Sequence, residues 1–192
     1  MLFPVLLLLA AQVDVNPLRE TASAPHQTDD PAIWVNPKVP SESLILGTVK
    51  MAAPDGAIVV YRLDGSVLMS IPGVDRPNNI DVAYGLKLGG RKIDIAIATE
   101  RNQNRLRVFE VLPGKGIRDL ATIPVFAQPM GIAIYKTGKG RGYIIATDQQ
   151  TPVSEYYVYA REGGPNGPHG HAKALGSFRV GRKLQLRHRR QQ

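Results

Sequence analysis

The fold class this chain of 192 residues predicts is all-β, a β-propeller of four-stranded blades, on two observations. Short runs rich in β-branched and aromatic residues alternate with Gly, Pro, Asn and Asp turns, and no stretch carries a long helical period. These runs recur at an interval near 50 residues, and four short strands per repeat of that length is how a propeller blade is written. One small sheet cannot bury both of its faces alone, so blades stack side to side around a channel. An ordinary β-sandwich is the alternative, but it does not explain a spacing held twice.

The first unit reads AIWV, LILGTV, AIVVYRL and SVLMSI; the second reads NIDVAYGL, KIDIAIAT, RLRVFEV and LATIPV; the third reads MGIAIYK, GYIIAT, EYYVYAR and ALGSFRV. The aromatic of the first strand recurs as Trp34, Tyr84 and Tyr135, at intervals of 50 and 51. The threonine ending the second strand recurs as Thr48, Thr99 and Thr147, at intervals of 51 and 48. The third strand carries Tyr61, Phe109 and Tyr159. Turn chemistry agrees: LDGS at 63–66 is a hairpin signature, and Asp55 and Asp64, each before Gly, read as turn residues. Propellers close with about 4–8 blades, so roughly three units leave open sheet edges through which the chain would self-associate.

Glycine (19) and proline (15) are both abundant, as many short strands and turns require, and cysteine is absent, which removes disulfides and thiol chemistry. The formal charge of +8 belongs largely to the tail. From Arg179 onward, RVGRKLQLRHRRQQ holds six of the 24 Lys and Arg and no acid, which leaves 18 basic against 16 acidic residues in the body. That tail lacks aromatic interleaving, so no nucleic-acid partner is expected. The apolar run from Leu2 to Ala11 is too short to cross a bilayer. Residues 1–25 therefore read as a signal-peptide remnant and polar lead-in, which points to secretion or the periplasm and to no stable membrane span. Residues 26–180 hold the blades, and 181–192 form a basic tail without regular structure.

Polar residues collect where strands meet loops. Asp29 and Asp30 precede the first strand, in HQTDDPAIWVNP; Lys50 follows the second strand, in GTVKM. Asn78, Asn79 and Asp81 introduce unit two in RPNNIDVAYG, and Glu100 and Arg101 follow its second strand in IATERN. Lys50, Glu100 and Gln149 fall at nearly equivalent positions, so their loops converge on one rim. Carboxylate and amide oxygens are the ligands of a hard cation such as calcium, and Lys and Arg supply charge-assisted bonds to phosphate oxygens. The plainer readings stand beside these. Asp before Pro makes an ordinary turn, NNID makes an Asx turn that introduces a strand, and Arg101 can be simply solvated. His169 and His171 have metal-like spacing but no third candidate nearby.

Together DDPAIWVNP, LGTVK, DGAIVVYRLDG, NNIDVAYGL, KIDIAIATERN and PMGIAIYK resemble the β-propeller phytase family, from about residue 26 to about 180. The resemblance implies a six-bladed fold and a calcium-dependent 3-phytase, a phosphoric monoester hydrolase. Such an enzyme releases phosphate from myo-inositol hexakisphosphate (phytate), or from another phosphorylated small molecule, by attack of calcium-bound water. It assigns phosphate binding and catalysis to Lys50 and Arg101, and calcium to Asp29 and Asp30, with Asn78, Asn79 and Asp81 bordering the metal; Glu100 joins the calcium ligands on its place after the second strand. A non-catalytic propeller fragment that binds calcium or protein is the other reading. The chain departs from the family pattern at Met51, where a second lysine is usual, and at Met130, where tyrosine is common. Acidic residues of later blades are missing, so the chain reads as a truncated or internally shortened member that joins the first two blades to the last.

Overall fold

Residues one apart on a strand face opposite sides of the sheet, so a strand buried on both sides must be apolar at nearly every position. The runs ILGTV, IVVY and IDIAIAT meet that condition, and they form the middle strands of stacked sheets. A computed structural model describes residues 16–88, 91–125, 127–136, 142–148, 153–158, 173–179 and 185–188. The first sheet has the order β1 (Thr28–Trp34), β2 (Leu44–Val49), β3 (Ala57–Arg62), β4 (Val67–Pro72). The second has β5 (Pro77–Leu88), β6 (Arg91–Glu100), β7 (Arg105–Leu112), β8 (Gly116–Pro124). The third runs β9 (Pro129–Lys136), β10 (Gly142–Asp148), β11 (Val153–Val158), β12 (Lys173–Arg179), β13 (Gln185–His188).

All neighbours are antiparallel and consecutive in sequence, so each sheet is an up-and-down meander. First strands lie side by side: β1 packs against β5, and β5 against β9. That is the stacking of propeller blades, with the first strand of each innermost, and the 50-residue period is its sequence record. Among the described residues three blades are present, as expected. The fifth strand of the third sheet lies in the basic tail, where no strand was expected. It covers the edge of β12, which would otherwise present unpaired backbone groups.

The core sits between blades. Leu44, Leu46, Ile58 and Val60 of the first sheet meet Ala96, Ala98, Phe109 and Val111 of the second in one buried cluster, which also holds Trp34. The opposite face of the second sheet sends Ile93, Ile95, Ile97, Leu106 and Val108 to Ile144 and Ala146 of the third. Even and odd positions of β6 and β7 thus serve different interfaces, which is the period-2 pattern at work. The far side of the first sheet is not bare. Val49, Ala57, Val59 and Tyr61 are buried there, with Ala24 and Met51 packed against them. The chain before β1 is pinned by Ala22 N–H donating to the Gly65 carbonyl.

The recurring aromatics do not share one environment. Trp34 is fully buried and donates from Nε1 to Asp94 Oδ2 at 2.9 Å. A bulge in β5 between Ala83 and Leu86 turns Tyr84 outward, where its hydroxyl accepts from Val35 N–H across the seam. Tyr135 is exposed, and Tyr159 lies outside the described residues. The LDGS turn forms as expected between β3 and β4: Asp64 accepts from Ser66 N–H and Oγ–H, which holds its carboxyl below the usual range, and Gly65 takes φ +88°.

Candidate functional site

Each inner strand begins, and each second strand ends, at the same rim, and a threonine fixes that junction. Thr48 Oγ1 accepts from Asp30 N–H at 3.0 Å and donates to the Asn78 carbonyl of the next blade at 2.9 Å. Thr99 repeats this, accepting from Asn79 N–H at 3.0 Å and donating to the Met130 carbonyl at 3.1 Å. Thr147 accepts from Gly131 N–H. A hydroxyl both donates and accepts, so one small side chain ties its own inner strand to the neighbouring one. That is why threonine recurs there.

Two of the expected ligand carboxylates work on the same seams. Asp30 Oδ2 accepts from Ile80 N–H of the second blade at 2.9 Å. Asp81 spans the second seam: Oδ2 accepts from Ile134 N–H at 2.7 Å, and Oδ1 from Val82 N–H at 2.8 Å. Asp29 stands exposed beside Lys50, whose Nζ donates to both its oxygens at 3.0 Å. Asn78 Nδ2 donates to Asn79 Oδ1 at 2.5 Å, while the buried Asn78 Oδ1 receives no hydrogen bond from the described residues.

Arg101 and Glu100 point to different places. Arg101 opens a 3₁₀ turn, Arg101–Gln103, that Asn104 closes in the left-handed conformation at φ 51°. Its side chain is buried and donates from Nη2 to Gln128 Oε1 at 3.3 Å. Burial above all, and then the charge of Arg76, hold Arg101 below its ordinary pKa, while Asp29 opposes them. Lys50, Asp29 and Arg101 are thus brought to one stretch of rim.

Glu100 turns inward instead. It is fully buried, Oε1 accepts from Asp75 N–H at 2.8 Å, and Oε2 accepts from Arg105 Nε–H at 2.5 Å. That bond pushes Arg105 further up in pKa. Asp75 in turn accepts from Ala53 N–H, Asn102 Nδ2 and Gln103 Nε2, and the Gln103 bond leads in holding its carboxyl below the usual range. Glu100 and Asp75 therefore shape the loop that carries Arg101.

Among the described residues, no three acidic or histidine side chains gather closely enough to hold a metal ion by themselves. The donor types at the first seam still suit a hard cation. Asp29, Asp30 and the unpartnered Asn78 amide oxygen are all oxygen ligands, although calcium takes about 6–8 and the rest would come from elsewhere. Gln149, His169 and His171 lie outside the described residues.

Sequence reasoning passed over Asp75, Arg76 and Gln128. Arg76 and Gln128 precede the prolines that open β5 and β9 in the same way, and both hold positive φ, 57° and 52°. Extending the repeat alignment a few residues before each inner strand would have found them.

Among the described residues no helix is long and apolar enough to cross a membrane. The profile of the Phytase family matches residues 9–124, more than half of the chain. The 3-phytase of Bacillus subtilis (strain 168) is 32% identical over 159 residues, which cover 78% of this chain and 40% of that protein. A solved protein from Lactobacillus plantarum superposes with a TM-score of 0.50 at 10% identity, over 82% of this chain and 42% of its own, a likeness of fold alone. The chain thus spans less than half the length of either protein. By the profile match and the extent of that sequence similarity, this chain belongs to the phytase family.

Proposed function

We propose that the rim at the first seam is part of a calcium-dependent phosphomonoesterase site that acts on phytate or a similar polyphosphorylated small molecule. One observation carries the reading: in a chain of the phytase family, Lys50, Asp29 and Arg101 converge where the first two blades meet. Two cations of different character stand there. Lys50 is a mobile point charge, and Arg101 is a planar fork anchored by Gln128. Both can bond the non-bridging oxygens of a phosphate ester, orient it, and oppose the negative charge that builds as water attacks phosphorus. The new bond joins water oxygen to phosphorus, the inositol oxygen departs, and solvent returns its proton. Asp29 restrains Lys50 until substrate competes for it. Asp29, Asp30 and the Asn78 amide oxygen are the groups that would hold calcium, with Asn79 and Asp81 behind them. When bound, calcium supplies charge neutralisation and lowers the pKa of water. Glu100 contributes by fixing the Arg101 loop.

Secretion or the periplasm completes this reading, on the apolar run Leu2 to Ala11. A second reading, a calcium- or ligand-binding module without turnover, is favoured by the incomplete acidic set among the described residues. Phosphate release from phytate by the purified chain, with and without chelator, separates the two. The phosphatase reading expects chelator-sensitive release that falls at least about tenfold in Asp30→Asn and Arg101→Ala, the scale of one lost charge-assisted bond. Folded protein that binds phytate and releases no phosphate supports the module and overturns the enzyme.

A further inference from the structure

The backbone at the first seam is stitched through Arg76. Its N–H donates to the Met51 carbonyl at 2.8 Å, and its carbonyl accepts from Arg101 N–H at 3.2 Å. In the first blade the same place belongs to Gln27, whose carbonyl accepts from Lys50 N–H at 2.9 Å. In the third it belongs to Gln128, which shares the positive φ and the following proline. The rim therefore carries Gln, Arg and Gln at one repeated position, and only the second blade places a charge there.

That charge sits in an unfavourable setting. A residue before proline prefers extended backbone, and a left-handed φ is uncommon for any residue that is not Gly, Asn or Asp. Arg76 holds φ 57° at an exposed position. Its backbone bond to Arg101 sets the two positive residues on adjoining segments of the rim. Among the described residues its guanidinium has no hydrogen-bond or ion-pair partner. Asp29 on the same rim is already bonded through both oxygens to Lys50. Arg76 thus adds a positive charge beside a pair that is already closed. The left-handed φ recurs at Gln128 and belongs to the junction; the exposed positive charge is particular to Arg76, and it points to an anionic ligand.

We infer that Arg76 is a third cationic arm of the rim, which bonds phosphate oxygens of the bound ligand together with Lys50 and Arg101 and sets affinity rather than turnover. This rests on the phosphate-binding reading above. Glycine at position 76 would remove the charge and relieve the left-handed φ at once, so binding and stability should respond in opposite senses. Lysine would retain the charge.

The test is calorimetric titration of the full chain with inositol hexakisphosphate, at low ionic strength and with calcium present, beside melting curves without ligand. Arg76→Gly should weaken binding by about tenfold or more, as loss of a charge-assisted bond does. Its melting temperature should be no lower than that of the wild type, and Arg76→Lys should recover most of the affinity. Where the chain turns over phytate, Arg76→Gly should raise KM and leave kcat within about twofold, as loss of uniform binding does. Unchanged affinity in Arg76→Gly, with affinity lost in Arg101→Ala, would overturn the role of Arg76 and leave the phosphate site standing. No binding by the wild type would overturn both. Lost affinity with a lowered melting temperature and no recovery in Arg76→Lys would show a structural residue and overturn the inference.

Discussion

Replacing Glu100 tests whether this buried carboxylate acts through the protein or through a metal. It accepts two hydrogen bonds, from the Arg105 guanidinium and from Asp75 N–H, and it is fully buried. Removing one member of a buried ion pair costs about 3–5 kcal/mol. The Arg105 side chain is 36% exposed, so its orphaned charge reaches water and the lower end applies. Adding an Asp75 N–H left without its acceptor, about 1 kcal/mol, gives about 4 kcal/mol for Glu100→Ala. Glu100→Gln keeps the shape and one acceptor oxygen and should cost about 1–2 kcal/mol. In a chain of this size 1 kcal/mol moves Tm by roughly 2–4 °C. Glu100→Ala should therefore melt roughly 8–16 °C lower and Glu100→Gln roughly 2–8 °C lower, by calorimetry in chelator. The decisive comparison is with calcium added, which should stabilise wild type and both variants alike. A Glu100→Ala protein that melts within about 2 °C of wild type in chelator, yet has lost its stabilisation by calcium, would refute the buttress and make Glu100 a ligand.

The seam threonines should matter more than their size suggests. Thr48→Val keeps the volume but strands Asp30 N–H and the Asn78 carbonyl, a cost of about 1–3 kcal/mol in urea unfolding; Thr99→Val should match it, and no loss in either would break the clamp. Asp75 sets a pH dependence. Its folded pKa is depressed, chiefly by the Gln103 bond, so its stabilisation is present above the unfolded value near 3.9 and is lost as pH falls through the folded one. Asp75→Asn should flatten the decline of Tm below about pH 4 relative to wild type, and an unchanged acid limb would contradict the assignment.

The fold was legible because its period is written in strands. Phe109 and Val111 face one blade while Leu106 and Val108 face another, and that alternation needs no knowledge of tertiary structure. Trp34 against Tyr84 was less legible. Both occupy the aromatic position of an inner strand, but the Ala83–Leu86 bulge turns one outward, and a bulge changes the face of a side chain without changing its spacing. The strand Gln185–His188 was invisible for a different reason. It is recruited by the unpaired edge of β12, so its conformation is set by the partner, not by its own composition.

At the rim, residue type identified the neighbourhood but not the job. Asp30 and Asp81 lie within inner strands and Glu100 ends a second strand, and each spends an oxygen on a backbone N–H contributed by another strand or loop. Those bonds join segments 25–53 residues apart in sequence, so no local pattern announces them. They also change what a functional carboxylate means in this chain. With Oδ2 of Asp30 fixed on Ile80 N–H, any cation it holds is held at the seam between two blades. Separating those blades would cost the hydrogen bond and the ligand together. Ligand affinity and blade stacking are then linked, and whatever occupies this rim should tighten the first seam before any other.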